Sequence, residues 1–184
     1  MESFVVLLLT VLGIAASPVH AADGSAGKPA AQTTNAPSAA DANGYVEKAA
    51  IGDMFEVQSS QVALEKTKDL SLRKFAEHMV NDHTKSSHKL QDALKAANIP
   101  ASPPAKLDQA HQDKLATLRS VSGDQFDQQY RELQLQGHQE ALKLHSDYSK
   151  NGGNEALKRF ATETAPVVQQ HLNEIQALNK TGAR

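Results

Sequence analysis

A chain of 184 residues with a net charge of −2, whose lysines and arginines are interspersed with acids, carries no electrostatic footprint for nucleic acid. The absence of cysteine excludes disulfides, thiolate metal sites and thiol nucleophiles, so any metal would have to be held by histidine and carboxylate. With 40% hydrophobic residues, only 4% aromatics and a composition rich in Ala, Leu, Gln, Glu and Lys, the chain reads as one small helical domain.

The first segment is a targeting signal rather than structure. Residues 4–16 form an apolar run too short to span a bilayer, and Val19-x-Ala21 supplies the small residues of a cleavage site, so residues 1–22 read as a signal peptide. The n-region Met1-Glu2-Ser3 is atypical in lacking Lys or Arg. Residues 23–42, built of Ala, Gly, Pro, Ser, Thr and Asn, are too small and polar to bury a core and read as a flexible linker. The expectation is an exported protein, periplasmic or envelope-associated, with no transmembrane span in the mature chain.

From residue 43 to 180 the pattern becomes periodic helix. Val46, Ala50, Met54, Val57, Gln61 and Leu64 recur at steps of three and four, and so, after a break around Asp69, do Leu72, Ala76, Met79, His83, Ser87, Leu90 and Leu94. Asn98 to Pro104, with three prolines, ends the second helix. A short helix around Asp108 to Arg119 leads to Ser122-Gly123-Asp124-Gln125, a predicted capping box ahead of Phe126, Tyr130, Leu133, Gly137, Ala141, Leu144 and Tyr148. Asn151-Gly152-Gly153-Asn154 is a turn, and Leu157, Phe160, Thr164, Val168, His171, Ile175 and Leu178 make a last helix that Pro166 should kink. Four amphipathic helices with two tight turns predict an all-α antiparallel four-helix bundle, with the short extra helix between helices two and three.

Four blocks carry a family resemblance: residues 49–57 (AAIGDMFEV), 75–83 (FAEHMVNDH), 122–127 (SGDQFD) and 165–172 (APVVQQHL). In these, and in their order over roughly residues 44–178, the chain resembles the bacterial exported domain-of-unknown-function family 4142, often labelled as outer membrane proteins. The resemblance implies a ferritin-like bundle and no particular activity. No alternating strand pattern of a barrel accompanies it.

Ferritin-like di-iron sites need Glu-x-x-His on two of the helices, and no such motif occurs anywhere in the chain. A weaker pattern remains. Glu56 and His83 lie 13 to 14 residues from a first turn at Asp69, and His138 lies 14 from a second at Gly152. If both turns are at one end of the bundle, all three share a layer about 20 Å from it. Glu163, 11 residues past the second turn, approaches that layer, and His171, 19 past it, should sit about 7 Å higher and be the poorer partner. His83 and His171 belong to apolar stripes, Glu56 to a stripe of small residues (Ala49, Gly52, Ser59, Ser60, Ala63), and His138 to the edge of an inward face. His78 and His88 fall on a solvated face, and Asp82 flanks His83 as a second ligand or a surface acid. His145 lies too far along its helix to share an ion with His138, while Tyr130 and Tyr148 read as core aromatics with wet hydroxyls.

Two functions fit this pattern. One is a non-enzymatic bundle that binds a protein partner or serves in envelope stress, its polar groups hydrogen-bonded to one another. The other is a protein holding a divalent metal (Zn, Fe, Cu or Ni) between Glu56, His83, His138, Glu163 and His171.

Overall fold

The computed structural model describes residues 39–181. Among these there are five helices and no strand: α1 (Ala39–Lys66), α2 (Leu70–Ala97), α3 (Gln109–Ser120), α4 (Gly123–Asn151) and α5 (Glu155–Thr181). The signal peptide and most of the linker lie outside the described residues. The helix starts four residues earlier than residue 43, however, and Ala42, assigned to the linker, is buried against Tyr45, Val46 and Leu157.

Local chemistry sets most helix ends. Asp69 caps α2, its carboxylate accepting from the backbone N–H groups of Ser71 and Leu72 at 2.8 and 3.2 Å. Asn98 closes the same helix in the left-handed conformation, as expected ahead of Pro100. Asp108 caps α3 through the His111 N–H, and the Asn154 side chain caps α5 through the N–H groups of Ala156 and Leu157. The predicted capping box at Ser122 does not form. Ser122 makes no side-chain bond, and entry into α4 depends instead on Gly123, whose φ of +59° suits a residue without a Cβ. Pro166 is accommodated inside α5, which continues through it as one helix.

The four long helices form a ferritin-like antiparallel bundle. Asp53 of α1 meets His83 of α2, and Asp82 and His78 of α2 meet His171 and Glu174 of α5. Along the α1–α4 face, Tyr45 touches Tyr148 while Ser60 touches Tyr130, so these two helices also run antiparallel. That register corrects the premise that both tight turns lie at one end. The α1–α2 turn sits beside the start of α4, where Arg131 bonds Asp69 at 2.6 Å, and the α4–α5 turn sits beside the start of α1. Residues 98–122, α3 included, therefore climb the length of the bundle, the single long crossover of ferritin-like folds. α3 is fixed on the way by Leu115 and Leu118, and Lys66 donates to the Arg119 and Val121 carbonyls where the crossover ends.

Two apolar clusters fill the bundle. One, around Phe75, Met79, Phe126, Tyr130 and Ile175, occupies the α1–α2 turn end. The other, around Tyr45, Val46, Leu90, Leu157 and Phe160, occupies the opposite end. Between them lies a layer of buried polar residues.

Because Asp69 both caps α2 and ties it to α4, Asp69→Ala should cost about 1–2 kcal/mol in urea unfolding, and Asp69→Asn, which keeps a capping oxygen, clearly less. Equal stability of Ala and wild type would mean that the cap does not hold this corner.

Candidate metal centre

Mid-helix position places the polar layer. Each long helix has 27 to 29 residues, so a side chain about 14 residues from either end is at half height, whichever way its helix runs. His83, His138 and His171 project into this layer from α2, α4 and α5, with residue exposures of 5%, 1% and 3%. His138 is thus at the centre of the inward face, not its edge. His171 joins the layer because α5 begins only at Glu155, which puts it 16 residues into its helix instead of 19 past a turn at Gly152. That difference lowers it by roughly 4.5 Å.

The three imidazoles form a nearly equilateral triangle. Their ring centres are 5.6 Å apart for His83–His138, 5.5 Å for His83–His171 and 5.4 Å for His138–His171. One ring nitrogen from each lies within 4.8 Å of the other two.

The outer nitrogen of every ring is engaged. His83 Nδ1 is 2.8 Å from Asp53 Oδ1, His138 Nδ1 is 2.8 Å from the Gln134 carbonyl, and His171 Nε2 is 3.3 Å from Asp82 Oδ2. The remaining nitrogens, His83 Nε2, His138 Nε2 and His171 Nδ1, are buried with no hydrogen-bond partner among the described residues. A ring whose outer nitrogen donates to a carboxylate or carbonyl has a fixed tautomer, with the lone pair on the other nitrogen. Burial, and then the neighbouring histidine charges, push His138 and His171 down to about 4, so both are neutral bases at neutral pH. His83 differs. Burial disfavours its imidazolium, but the bond to Asp53 and that carboxylate's charge outweigh this and hold it above the ordinary imidazole range.

Glu56 is beside the triangle, not within it. Its Oε1 is 3.9 Å from His138 Nδ1, the outer nitrogen, and burial raises its carboxyl to about 7 against the pull of His83 and Gln134. Gly137 makes the space: a Cβ there would come within 2.7 Å of Glu56 Oε1. Glu163 is a correction. It is 57% exposed on the outside of α5, 4.0 Å from Lys89, because half height does not ensure the right phase around the helix. His78 and His88 are exposed as expected. His145 is buried next to the layer but bonds Tyr45 Oη through Nδ1 at 2.9 Å, and the Tyr130 hydroxyl is not wet but bonded to Ser60 at 2.8 Å. Asp53 is the residue that sequence reasoning missed. It stands one turn from Glu56 on the same small-residue stripe, and that phase was its only signal.

The contact between Gly137 and Glu56 predicts a sign change. In urea unfolding, Gly137→Ala should destabilise the wild-type protein but stabilise a Glu56→Ala protein by about 0.5–1 kcal/mol, the usual gain on replacing a helical glycine. The same sign in both backgrounds would mean that Gly137 is not there to admit Glu56.

Residues 26–178 match the family described as Domain of unknown function (DUF4142). No curated protein matches the chain. Among solved structures it is similar to a DUF305 fragment from Deinococcus radiodurans, with a TM-score of 0.66 and 13% identity over 77% of this chain and 97% of that one. It is also similar to a DUF305 protein from Streptomyces coelicolor described as secreted, with a TM-score of 0.64 and 15% identity over 78% and 94% of the two chains. At such identities the likeness is one of fold. The match across most of the chain makes this protein a member of the DUF4142 family.

Proposed function

We propose that this protein is an exported bundle protein that binds one divalent transition metal, Zn, Fe, Cu or Ni, through His83, His138 and His171. The carrying observation is the triangle of buried imidazoles with engaged outer nitrogens and unpartnered inner ones. Its size supports the reading. With metal–nitrogen bonds of about 2.0–2.1 Å, three imidazoles converging at tetrahedral to trigonal angles have ring centres roughly 5.2–5.5 Å apart. The 5.4–5.6 Å found here is that spacing with little adjustment left to make.

The outer contacts support it as well. Asp53 on His83 and Asp82 on His171 are the carboxylate–histidine pairs that orient metal ligands and raise their basicity. A cluster serving structure alone would leave three buried ring nitrogens unmatched, at about 1–3 kcal/mol each. That cost counts against a bundle whose polar layer only stabilises it while another surface binds a partner. Export draws on the leader-like first 22 residues and on the similarity to a protein described as secreted. No described helix is long and apolar enough to cross a membrane.

Because Asp53 keeps His83 protonated in the metal-free protein, binding displaces a proton, and affinity should weaken as pH falls. Protein purified without chelator should carry close to one metal per chain. Metal at a hundred times its Kd should add about 2.7 kcal/mol, a rise in Tm on the order of 10 °C for a domain of this size. His83→Ala, His138→Ala and His171→Ala should each abolish both effects, and Glu163→Ala neither. Wild-type protein that retains no metal and gains no stability from Zn, Fe, Cu or Ni would defeat the proposal.

A further inference from the structure

The three histidines leave a metal with at least one coordination position unfilled by the protein, since Asp53 and Glu56 lie on the outer sides of His83 and His138. A cavity of about 580 Å³ leads to that place between α1 and α4. Its rim carries exposed Lys48, Glu140 and Lys143, and its floor is Asp53, Glu56, His83 and His138. The volume is that of a small-molecule pocket. Two carboxylate oxygens of the floor residues, Asp53 Oδ2 and Glu56 Oε2, are buried and have no hydrogen-bond partner among the described residues. Both are acceptors, and an unmatched buried acceptor is satisfied by a ligand that brings a proton.

We infer that the α1–α4 cleft admits a small protic oxygen ligand, of the class of water, alcohols and hydroxamic acids. Such a ligand binds the metal through oxygen and donates a hydrogen bond to Glu56 or Asp53. The inference rests on the metal reading and adds to it an open coordination position, a route and a ligand class. A protic ligand fits where a simple anion does not, because the metal takes the oxygen lone pair while the carboxylates take the proton and repel unprotonated charge. Gly52 gives a means to close the route: it lines the cleft, and a Cβ built on it meets nothing within 4 Å.

The test uses the full chain loaded with Co²⁺ and follows the cobalt visible spectrum during titration with acetohydroxamate or with azide, an aprotic anion. The expected result is a saturable change with acetohydroxamate at a concentration at least tenfold below that for azide. Gly52→Phe should raise the half-saturating concentration of both at least tenfold while leaving the spectrum of bound Co²⁺ itself unchanged. Glu56→Met, close in shape but without the acceptor, should remove the preference for acetohydroxamate. A cobalt spectrum insensitive to both probes, cobalt lost to the filtrate with hydroxamate, or equal titrations in wild type and Gly52→Phe would each overturn this inference alone. Failure of the protein to take up Co²⁺ would overturn the metal reading along with it.

Discussion

An imidazole placed inside an apolar bundle has two polar nitrogens to satisfy, and here three such rings meet at one height. The rest of the layer follows from that constraint. Each ring lies between a fixed partner on its outer side and the other two rings on its inner side. Asp53, the Gln134 carbonyl and Asp82 take the outer nitrogens, and this decides where the lone pairs point. Convergence of three lone pairs is repulsive unless a cation or shared protons lie among them. His83, held protonated by Asp53 in the metal-free protein, supplies the proton state that makes the empty arrangement tolerable.

The apolar clusters on either side are what make the layer matter. Phe75 packs 6.2 Å from the His138 ring, and Tyr130 and Phe126 close the space towards the α1–α2 turn, while Tyr45, Tyr148 and Phe160 close it at the other end. With water largely excluded, each polar contact in between has more weight than it would at the surface, and each unpartnered atom has a larger cost. The α1–α4 face is the exception. Small residues there, Ala49 and Gly52 on α1 with Gly137 and Ala141 on α4, leave a cleft where larger side chains would have filled the space between helices.

Much of this was legible in the sequence, though partly for a reason that does not hold. Counting from the turns brought Glu56, His83 and His138 to one level on the premise that both turns share an end. The turns are at opposite ends, and the count survives because positions near the middle of 28-residue helices keep their height when a helix is inverted. Off-centre positions have no such protection. Counting also fixes height without phase, and Glu163, about 80° around α5 from His171, points outward for that reason. Asp53 and Asp82 could not be assigned from sequence, because their roles are contacts to histidines on other helices. Which neighbours α1 and α5 acquire is decided by the crossover through α3, and nothing in the periodicity of a single helix reports that.

The same geometry explains why a ferritin-like bundle can lack Glu-x-x-His and still have a centre. In the di-iron arrangement carboxylates enter the first coordination shell and bridge two ions, which requires acids on all four helices facing inward. Here α1 contributes acids only at the periphery, and the inward positions of α2, α4 and α5 are imidazoles. Three neutral nitrogen donors spaced about 5.5 Å ring to ring suit one ion and leave no room for a second. The negative charge that would have bridged two metals stands one bond further out, on Asp53 and Asp82, where it orients the ligands and offsets the charge of a single cation. Moving the acids outward by one shell thus converts a two-ion site into a one-ion site on an unchanged helical frame, with Glu56 left facing the cleft.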